Sequence, residues 1–313
     1  MRVEESRTLD APRRRYIWVE DRRETRLPFS KFVMAATLTT VGLDPEMSYA
    51  VAEETEEQLM AGPSDSINVE DLMAIATTAL RRQGDVELAS RYREWVAARR
   101  LEKPILLLLG GVSGVGKSSV AAEVGARLRI TTVVPTDAIR EVMRHVVSDT
   151  LAPILHSSSF EAWKTLRAPV PEDHDPVIEG FRQQAEVVAT GVRALVDRAL
   201  REGNDLIVEG VHILPGLFDN DLAVWRQRAF VYQALLTVSD ASTHRAHFLT
   251  RLERALHREP QRYLDHFDEI RRIERFVSML APSHSVPKIE VEQLDMAVQY
   301  VVSQVVDAVI KTP

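Results

Sequence analysis

Cysteine is absent from the 313-residue sequence, and this absence narrows the possible chemistry. It excludes disulfide bonds, iron–sulfur clusters and thiolate zinc sites, and it fits a reducing compartment. Apolar runs long enough for a transmembrane helix, roughly 20 residues, are also missing. The N-terminal residues, MRVEESRTLD, are polar and charged, unlike a secretory signal. We therefore expect a cytoplasmic protein.

The sequence also has no excess of positive charge. The formal net charge is −7, with 39 Lys and Arg against 46 Asp and Glu. This balance argues against general binding to nucleic acids or to membrane surfaces. The apolar fraction of 45% is ordinary for a globular protein and suffices for a sizeable core. A chain of this length suits one large or two smaller domains, and it leaves a homo-oligomer open.

The stretch KPILLLLGGVSGVGKSS, residues 103–119, is the most informative part of the sequence. Its apolar run, residues 105–109, has the length of a fully buried strand. The complete phosphate-loop pattern, G-x-x-x-x-G-K-S, runs from Gly111 to Ser118. A helix is predicted over residues 117–129, so that its N-terminal dipole would face a bound anion. Strand, loop and helix signals in this order predict binding of a nucleoside triphosphate.

The residue types in this loop fit ATP and Mg²⁺ as cofactors. Gly111, Gly114 and Gly116 carry no side chains, so backbone N–H groups can point at phosphate oxygens. Lys117 can reach the β- and γ-phosphates, and the Ser118 hydroxyl can bind Mg²⁺. The predicted nucleotide-binding residues are Gly111, Ser113, Gly114, Val115, Gly116, Lys117, Ser118 and Ser119.

Asp137 and Arg140 follow a second predicted strand, residues 131–134. Ligands of open α/β sheets bind at the carboxyl ends of strands, so Asp137 is expected beside the phosphate loop. Its carboxylate could accept the proton of an attacking hydroxyl, and it could also cap a helix over residues 137–147. Arg140, one turn along, is expected to face the same cleft and bind an anionic acceptor, the alternative being a surface arginine. We predict both residues to be catalytic.

Glu209 ends a third strand, which follows a long amphipathic helix over residues 177–202. An acidic residue after an apolar strand is the Walker B position of a phosphate-loop protein. A carboxylate there holds the Mg²⁺ shell or orients the acceptor. His212 is expected to shape the site, because Mg²⁺ prefers oxygen ligands. We predict Lys117 and Glu209 to be catalytic, and the predicted metal ligands are Ser118, Asp137 and Glu209.

A helix rich in cations follows the fourth predicted strand, residues 229–238. Phosphate-loop kinases place there a lid that closes on the transferring phosphoryl group, and the alternative is a solvated basic face. We predict Arg251 of this helix to be catalytic. The spacing of His244 and His247 also leaves a metal site open. The cations of the segment are His244, Arg245, His247, Arg251, Arg254, His257 and Arg258.

A polar cluster, Leu155-His156-Ser157-Ser158-Ser159-Phe160, interrupts helical sequence. Its three hydroxyls could donate to a carboxylate or a phosphate, and they could instead cap a helix. Residues 167–176, rich in proline and acidic residues, predict an exposed loop. The remaining predicted elements are a helix over residues 267–280, a last strand over 286–290 and a closing helix over 291–310.

Residues 14–99 predict a strand pair, beginning at residues 16–19, and four helices. The second helix starts at Pro45, and Asn68 caps the third. This order resembles the ATP-cone, a regulatory nucleotide-binding module, as do Val19-Glu20-Asp21-Arg22-Arg23 and Pro28-Phe29-Ser30-Lys31. The family's usual start is a valine, a basic pair and then Asp-Gly; here acidic residues interrupt this start, and the glycine is missing. Nucleotide binding and a purely structural copy therefore both stay open.

Five motifs of the larger segment look like those of the 2-phosphoglycerate kinase family. The resemblance implies transfer of the ATP γ-phosphate to the 3-hydroxyl of 2-phosphoglycerate, giving 2,3-bisphosphoglycerate. A kinase of another phosphorylated or acidic hydroxy metabolite and a non-enzymatic ATP sensor are the alternatives. The sensor needs no acceptor base, so Asp137 argues against it. The motifs are residues 111–119, Thr136-Asp137-x-Ile139-Arg140-Glu141-Val142, Leu155-His156-x-Ser158-Ser159-Phe160, Ile207-Val208-Glu209-Gly210-Val211-His212-x-x-Pro215-Gly216 and His244-x-x-His247-Phe248.

The resemblance also implies the fold class, which is α/β. We expect a P-loop kinase-like parallel sheet flanked by helices, preceded by a small, mostly helical ATP-cone-like domain. A charged hinge at residues 99–103 precedes Pro104, and we place the domain boundary there. The predicted organisation is a tail over residues 1–15, an ATP-cone-like domain over 16–100 and a P-loop kinase domain over 101–313.

Overall fold

The computed structural model describes residues 15–20, 26–101, 103–254 and 260–311, with the backbone alone given at residues 251–254 and 260. The chain divides between Ala98 and Arg99 into two compact units. Within the described ranges, no helix combines the length and the apolarity that a membrane span requires.

The smaller unit combines four helices with a three-stranded sheet of order β2-β1-β3. β1 pairs antiparallel with β2 and parallel with β3. Its mostly helical character is as predicted, whereas β3 was not predicted, since three residues are too few for a periodic pattern. The elements are β1 Trp18–Glu20, β2 Arg26–Pro28, α1 Lys31–Thr40, α2 Pro45–Ala61, β3 Ser66–Asn68, α3 Val69–Arg82 and α4 Val86–Arg99.

Polar side chains begin three of these helices. Ser30, Asp44 and Asn68 cap α1, α2 and α3 through hydrogen bonds of 3.4, 2.9 and 2.8 Å from backbone N–H groups. Pro45 occupies the start of α2, where its missing N–H leaves no partner unsatisfied. Residues 21–23 of the ATP-cone-like motif lie outside the described residues.

The larger unit has a five-stranded sheet with helices on its faces. Two 3₁₀ turns, Pro153–His156 and Ala162–Thr165, lie between its second and third helices. The helices and strands are β4 Ile105–Gly110, α5 Lys117–Leu128, β5 Val133–Pro135, α6 Thr136–Val146, α7 Pro176–Glu202, β6 Leu206–Gly210, α8 Asp219–Trp225, β7 Phe230–Thr237, α9 Ala241–Arg254, α10 Pro260–Asp265, α11 Phe267–Ser283, β8 Lys288–Glu290 and α12 Leu294–Lys311.

All five strands run parallel, in the order β5-β6-β4-β7-β8. β4 is central, so the phosphate loop leaves the sheet at its middle. Glu209 pairs with Leu109 of β4 on one side and with Pro135 of β5 on the other. The register therefore brings the phosphate loop, Glu209 and the residues after Pro135 to the same edge of the sheet. The predicted parallel sheet flanked by helices is confirmed.

The core explains why β4 reads as an uninterrupted apolar run. Each residue from Ile105 to Leu109 is at most 2% exposed, because both faces of the strand are covered. Leu106 and Leu108 pack in one cluster with Val188, Val192 and other residues of α7. Burial of each such side chain contributes about 1.5–3 kcal/mol to folding. The central strand is thereby fixed from both sides, which holds the loop that follows it.

Three details differ from the sequence prediction. Helix α6 begins at Thr136 with Pro135 as its N-cap residue, so the expectation that Asp137 caps it is wrong. Asp137 lies inside the first turn, where a carboxylate complements the helix dipole instead. Helices α8 and α10, seven and six residues long, were not predicted, because windows this short carry no helical period.

Helix α7 approaches the second 3₁₀ turn through Gly180. A Cβ atom at this glycine would lie 2.3 Å from the backbone nitrogen of Trp163 and 2.4 Å from its Cα. Gly191, further along the same helix, has a different neighbour. A Cβ atom there would lie 2.4 Å from Cγ2 of Ile139, a side-chain atom. Of these two glycines of α7, Gly180 is therefore the one that lies against backbone.

We expect Gly180→Ala to destabilise the larger unit. Alanine gains about 1 kcal/mol of helix propensity over glycine, but overpacking against backbone costs about 1–3 kcal/mol or more. Gly191→Ala is the matched control, because the Ile139 side chain can shift and the loss should be smaller. Urea unfolding followed by tryptophan fluorescence measures both. A Gly180→Ala variant as stable as the wild type would contradict this packing.

Candidate active site

The phosphate loop has backbone that favours glycine. Gly111, Gly114 and Gly116 have φ angles of +145°, +88° and +88°. A Cβ atom at Gly114 would lie 2.5 Å from Cζ of Phe248 and 2.8 Å from Nε2 of His244, both on α9. Side chains at the loop glycines are thus excluded by conformation and, at Gly114, also by the helix that covers the loop.

Lys117 and Ser118 begin α5 directly below the loop. The Lys117 ammonium donates to the Val112 carbonyl at 2.8 Å, which curls its side chain back over the loop. The Ser118 hydroxyl donates to Oε1 of Glu209 at 2.7 Å. Glu209 is 4% exposed, so its carboxylate is fixed between the strand end and the helix start. The structure therefore joins Ser118 and Glu209, which were predicted from two separate motifs.

The donor set at this point suits Mg²⁺. A hydroxyl and a carboxylate are hard oxygen ligands, which Mg²⁺ prefers. Across the described residues, no group of three or more His, Asp or Glu side chains is arranged to hold a metal ion. A magnesium ion here would take most of its shell from phosphate oxygens and water, as is usual for nucleotide sites.

Asp137 and Arg140 lie on one side of α6. The Asp137 side chain is 71% exposed, and its Oδ1 is 3.6 Å from Nε of Arg140. Arg140 is only 14% exposed, so it is not a surface arginine. Its Nη1 donates to the carbonyls of Leu155 and Ser157, at 2.9 and 3.3 Å. Its Nε is buried without a hydrogen-bond partner among the described residues.

His212 lies fully buried next to these groups. Its Nδ1 is 2.8 Å from the Thr136 hydroxyl, and its Nε2 is 3.2 Å from Oε1 of Gln184. Burial lowers the pKa of His212 to about 4; the charge of Asp137 opposes this shift, and those of Arg140 and Lys117 add to it. The ring is therefore neutral near pH 7. Both ring nitrogens have hydrogen-bond partners, so His212 is not arranged as a metal ligand. It packs as a neutral ring close to Asp137, Arg140 and Lys117.

The two histidines of α9 contact the phosphate loop. Nε2 of His244 donates to the Ser113 carbonyl at 2.7 Å, and Nδ1 of His247 donates to the Gly114 carbonyl at 3.0 Å. Burial lowers the pKa of His244 to about 4, against the effect of the Ser113 carbonyl. In each ring one nitrogen donates a hydrogen bond to a backbone carbonyl of the loop. The two histidines therefore hold the loop in place and are not arranged to bind a metal ion together.

The cationic segment is described only in part. The Arg245 guanidinium lies 4.8 Å from the ring centroid of Phe267, in a cation–π contact. The backbone of Arg251 and Arg254 belongs to α9, but their side chains lie outside the described residues, as do His257 and Arg258 entirely. The predicted catalytic role of Arg251 therefore stays a prediction.

Residues 157–160, which we call the serine segment, connect to α10 and α11. The Phe160 ring is buried and contacts the rings of Tyr263 and His266, with centroids 5.7 and 5.2 Å apart. Tyr263 in turn stacks on Phe248 of α9 at 5.4 Å. Glu161, the next residue, accepts from Nε of Arg262 at 3.0 Å. A column of rings thus joins the helix over the phosphate loop to the serine segment.

Two contributors to the site were not predicted from sequence. Gln184 is a fully buried polar residue on the apolar face of α7, between Phe181 and Ala185. That interruption of the apolar stripe is a signal that could have identified it. Arg271 of α11 donates to the carbonyls of Val238 and Ser239, at 2.7 and 2.8 Å, and no local pattern marks it.

Models of two known families match the chain. The model described as an AAA domain matches residues 106–270, more than half of the chain. The model described as an ATP cone domain matches residues 17–101.

Curated relatives match nearly the whole chain. A 2-phosphoglycerate kinase of Methanothermobacter thermautotrophicus is 42% identical over 264 residues, covering 84% of this chain and 85% of that protein. One of Methanopyrus kandleri is 41% identical over 290 residues, with 92% and 87% covered. One of Pyrococcus furiosus is 35% identical over 293 residues, with 94% of each covered.

Solved structures match more weakly. A gluconokinase from Sinorhizobium meliloti has a TM-score of 0.38 at 14% identity, covering 65% of this chain and 93% of that one. The family models and the curated relatives span both units and the site described above, and they show the family. The protein is an ATP-dependent kinase, and the chain belongs to the 2-phosphoglycerate kinase family.

Proposed function

We propose that this protein transfers the γ-phosphate of ATP to the 3-hydroxyl of 2-phosphoglycerate, giving 2,3-bisphosphoglycerate. The observation that carries the proposal is the hydrogen bond from Ser118 to the buried Glu209 carboxylate, which joins the phosphate loop to the Walker B strand. The exposed carboxylate of Asp137 and the buried guanidinium of Arg140 lie on the adjacent helix. The names of relatives up to 42% identical agree with this acceptor.

The nucleotide side of the site is built to hold charge. The loop N–H groups and the start of α5 favour phosphate oxygens, and Lys117 adds a positive charge near the β- and γ-phosphates. Ser118 and Glu209 would hold Mg²⁺, with Asp137 as a third candidate ligand. When bound, Mg²⁺ neutralises charge on the triphosphate. Lys117 and the loop stabilise the further charge that develops as the bond to ADP breaks.

Asp137 is the proposed general base. Its carboxylate is largely exposed and lies at the carboxyl end of β5, so an acceptor hydroxyl can approach it. As the acceptor oxygen bonds to the γ-phosphorus, its proton passes to the Asp137 carboxylate, and ADP leaves with the electrons of the broken P–O bond. The exposed position suits this role, since the base must exchange its proton with water after each turnover.

Arg140 is the proposed cation for the acceptor. A phosphorylated hydroxy acid carries about three negative charges near pH 7, because the second phosphate pKa is about 6. The carbonyls of Leu155 and Ser157 orient the Arg140 guanidinium, and its Nε is buried without a hydrogen-bond partner in the described part of the chain. We further propose that Arg251 on α9 supplies a second cation when the lid closes.

We also propose which unit is the kinase domain and which is the ATP-cone-like domain. Every residue given a role in transfer lies after residue 101, so residues 101–313 form the kinase domain and residues 16–100 the ATP-cone-like domain. The compact units divide within two residues of this boundary, which supports the assignment.

A panel of acceptors tests the proposed function. ADP release is measured with the purified full chain, ATP and Mg²⁺, and with 2-phosphoglycerate, 3-phosphoglycerate, glycerate or no acceptor. We expect 2-phosphoglycerate to give the highest kcat/KM, in agreement with the names of the relatives, and glycerate to give a lower one because it lacks a phosphate for Arg140 to bind. A clear preference for glycerate or 3-phosphoglycerate would show that 2-phosphoglycerate is not the acceptor. ADP release that ignores every acceptor would contradict the transfer itself.

Asp137→Asn and Glu209→Gln form a matched pair for the roles of the two acids. Loss of a general base lowers kcat by roughly 10²–10⁴-fold. Asp137→Asn should therefore lower kcat by this factor and leave the Kd for ATP nearly unchanged. Glu209→Gln should instead raise the Mg²⁺ concentration needed for half-maximal activity. Steady-state kinetics over a magnesium series checks both. The same magnesium defect in both variants would make Asp137 a metal ligand, not the base.

Arg140→Ala should weaken binding of the acceptor. Loss of one hydrogen bond to a charged group is worth about 1.5–3 kcal/mol, so the KM for the acceptor should rise about tenfold to a hundredfold. Arg272→Ala is the control, since that arginine is 49% exposed and its contact to Asp175 is 3.8 Å long. Kinetics with each substrate varied separates the two constants. An increase confined to the KM for ATP would place the acceptor elsewhere.

A further inference from the structure

Three fully buried polar side chains form a continuous hydrogen-bonded bridge in the larger unit. They are Thr136, His212 and Gln184, each 0% exposed, and we call them the buried bridge. None has a chemical role in the proposed transfer. They come from three different elements: the start of α6, the chain just after β6, and the middle of α7.

The direction of every hydrogen bond in the bridge can be assigned. The Gln184 amide nitrogen donates to the carbonyls of Ile154 and Ser157, at 2.5 and 3.0 Å. Because carbonyls only accept, the amide oxygen must face the His212 ring, at 3.2 Å. Nε2 of His212 therefore carries the proton, and Nδ1 accepts from the Thr136 hydroxyl at 2.8 Å. With a neutral ring, every link of the bridge is satisfied.

One end of the buried bridge lies next to the proposed base, and the other end lies next to the proposed cation for the acceptor. Thr136 immediately precedes Asp137, the proposed base. At the other end, the Ser157 carbonyl accepts from Gln184 and also from Nη1 of Arg140, the proposed acceptor cation. The middle, His212, follows Glu209 by three residues. The bridge thus spans the distance between the base and the serine segment.

Packing alone does not require polar groups here. Phe181, Ala185 and Val188 of α7 surround Gln184 along the helix and are all fully buried. An apolar residue of similar size would fill such a position without the desolvation cost of an amide, but it would leave the carbonyls of Ile154 and Ser157 without the Gln184 donor. A fully satisfied polar network instead fixes one arrangement of the chains that it connects. Its hydrogen bonds offset the desolvation cost, and they tie the start of α6 to the serine segment.

We propose that Thr136, His212 and Gln184 are positioning residues for phosphoryl transfer, which hold the serine segment and Arg140 at a fixed place relative to Asp137. This inference rests on the proposed function, since it takes the serine segment and Arg140 to be the acceptor side of the site. The nucleotide contacts, made by the phosphate loop, do not depend on the bridge.

Thr136→Val and Gln184→Met test this proposal in the full-length protein. Thr136→Val removes one hydroxyl and keeps the shape, so kcat/KM for the acceptor should fall about tenfold, as expected for loss of one buried hydrogen bond. Gln184→Met leaves two carbonyls without their donor and should cost about a hundredfold. The Kd for ATP, measured by direct binding, should stay within about twofold of the wild type in both.

Two further variants complete the experiment. Thr136→Ser keeps the hydroxyl and should recover most of the loss seen in Thr136→Val. Thr190→Val, an exposed position on the same helix as Gln184, controls for removing a threonine hydroxyl and should leave all constants unchanged. If Gln184→Met does not fold, the two Thr136 variants decide.

The outcomes separate this inference from the proposed function. The wild type decides which acceptor is phosphorylated, and the variants are then compared with whichever acceptor it uses. A loss confined to the acceptor constants and recovered by Thr136→Ser supports the bridge as a positioning device. Variants that change only the melting temperature, or that raise the Kd for ATP as much as the acceptor KM, overturn it.

Discussion

The hydrogen bond from Ser118 to the buried Glu209 carboxylate joins the phosphate loop to the neighbouring strand, and the other parts of the site are arranged around it. It depends on the parallel register of β4 and β6, which ends the two strands at the same level. That register is fixed in turn by apolar burial on both faces of β4. A sheet built this way gathers loops distant in sequence at one edge.

Burial differs among the titratable groups of the site: His212, His244 and Glu209 are buried, whereas Asp137 is exposed. His212 and His244 are buried, and their lowered pKa values keep them neutral near pH 7, so they donate and accept hydrogen bonds without adding charge. Asp137 is exposed, and we assign it the proton transfer. Positive charge comes from Lys117 and from Arg140. The two buried histidines therefore shape the site without changing its charge near pH 7.

Local patterns predicted much of this arrangement. The phosphate loop and Glu209 carry their signal within a few consecutive residues, and helix α7 carries its signal as an apolar stripe of helical period. The structure has all three where the sequence placed them. Gln184 and Arg271 were missed because their partners are remote: Gln184 meets His212 across 28 positions, and Arg271 meets Val238 across 33. The capping role expected for Asp137 failed because the helix starts one residue earlier. Strand β3 was missed because it pairs with β1 across the intervening helices.

The position of the transferred phosphate tests the central claim most directly. The protein is incubated with ATP, Mg²⁺ and 2-phosphoglycerate, and the products are identified by phosphorus NMR. The expected product is 2,3-bisphosphoglycerate, with the new phosphorus on the oxygen of carbon 3 and one ADP formed for each molecule. Phosphate on the carboxylate, detected as a hydroxylamine-sensitive product, would contradict the proposed geometry. Release of inorganic phosphate with unchanged 2-phosphoglycerate would contradict the transfer.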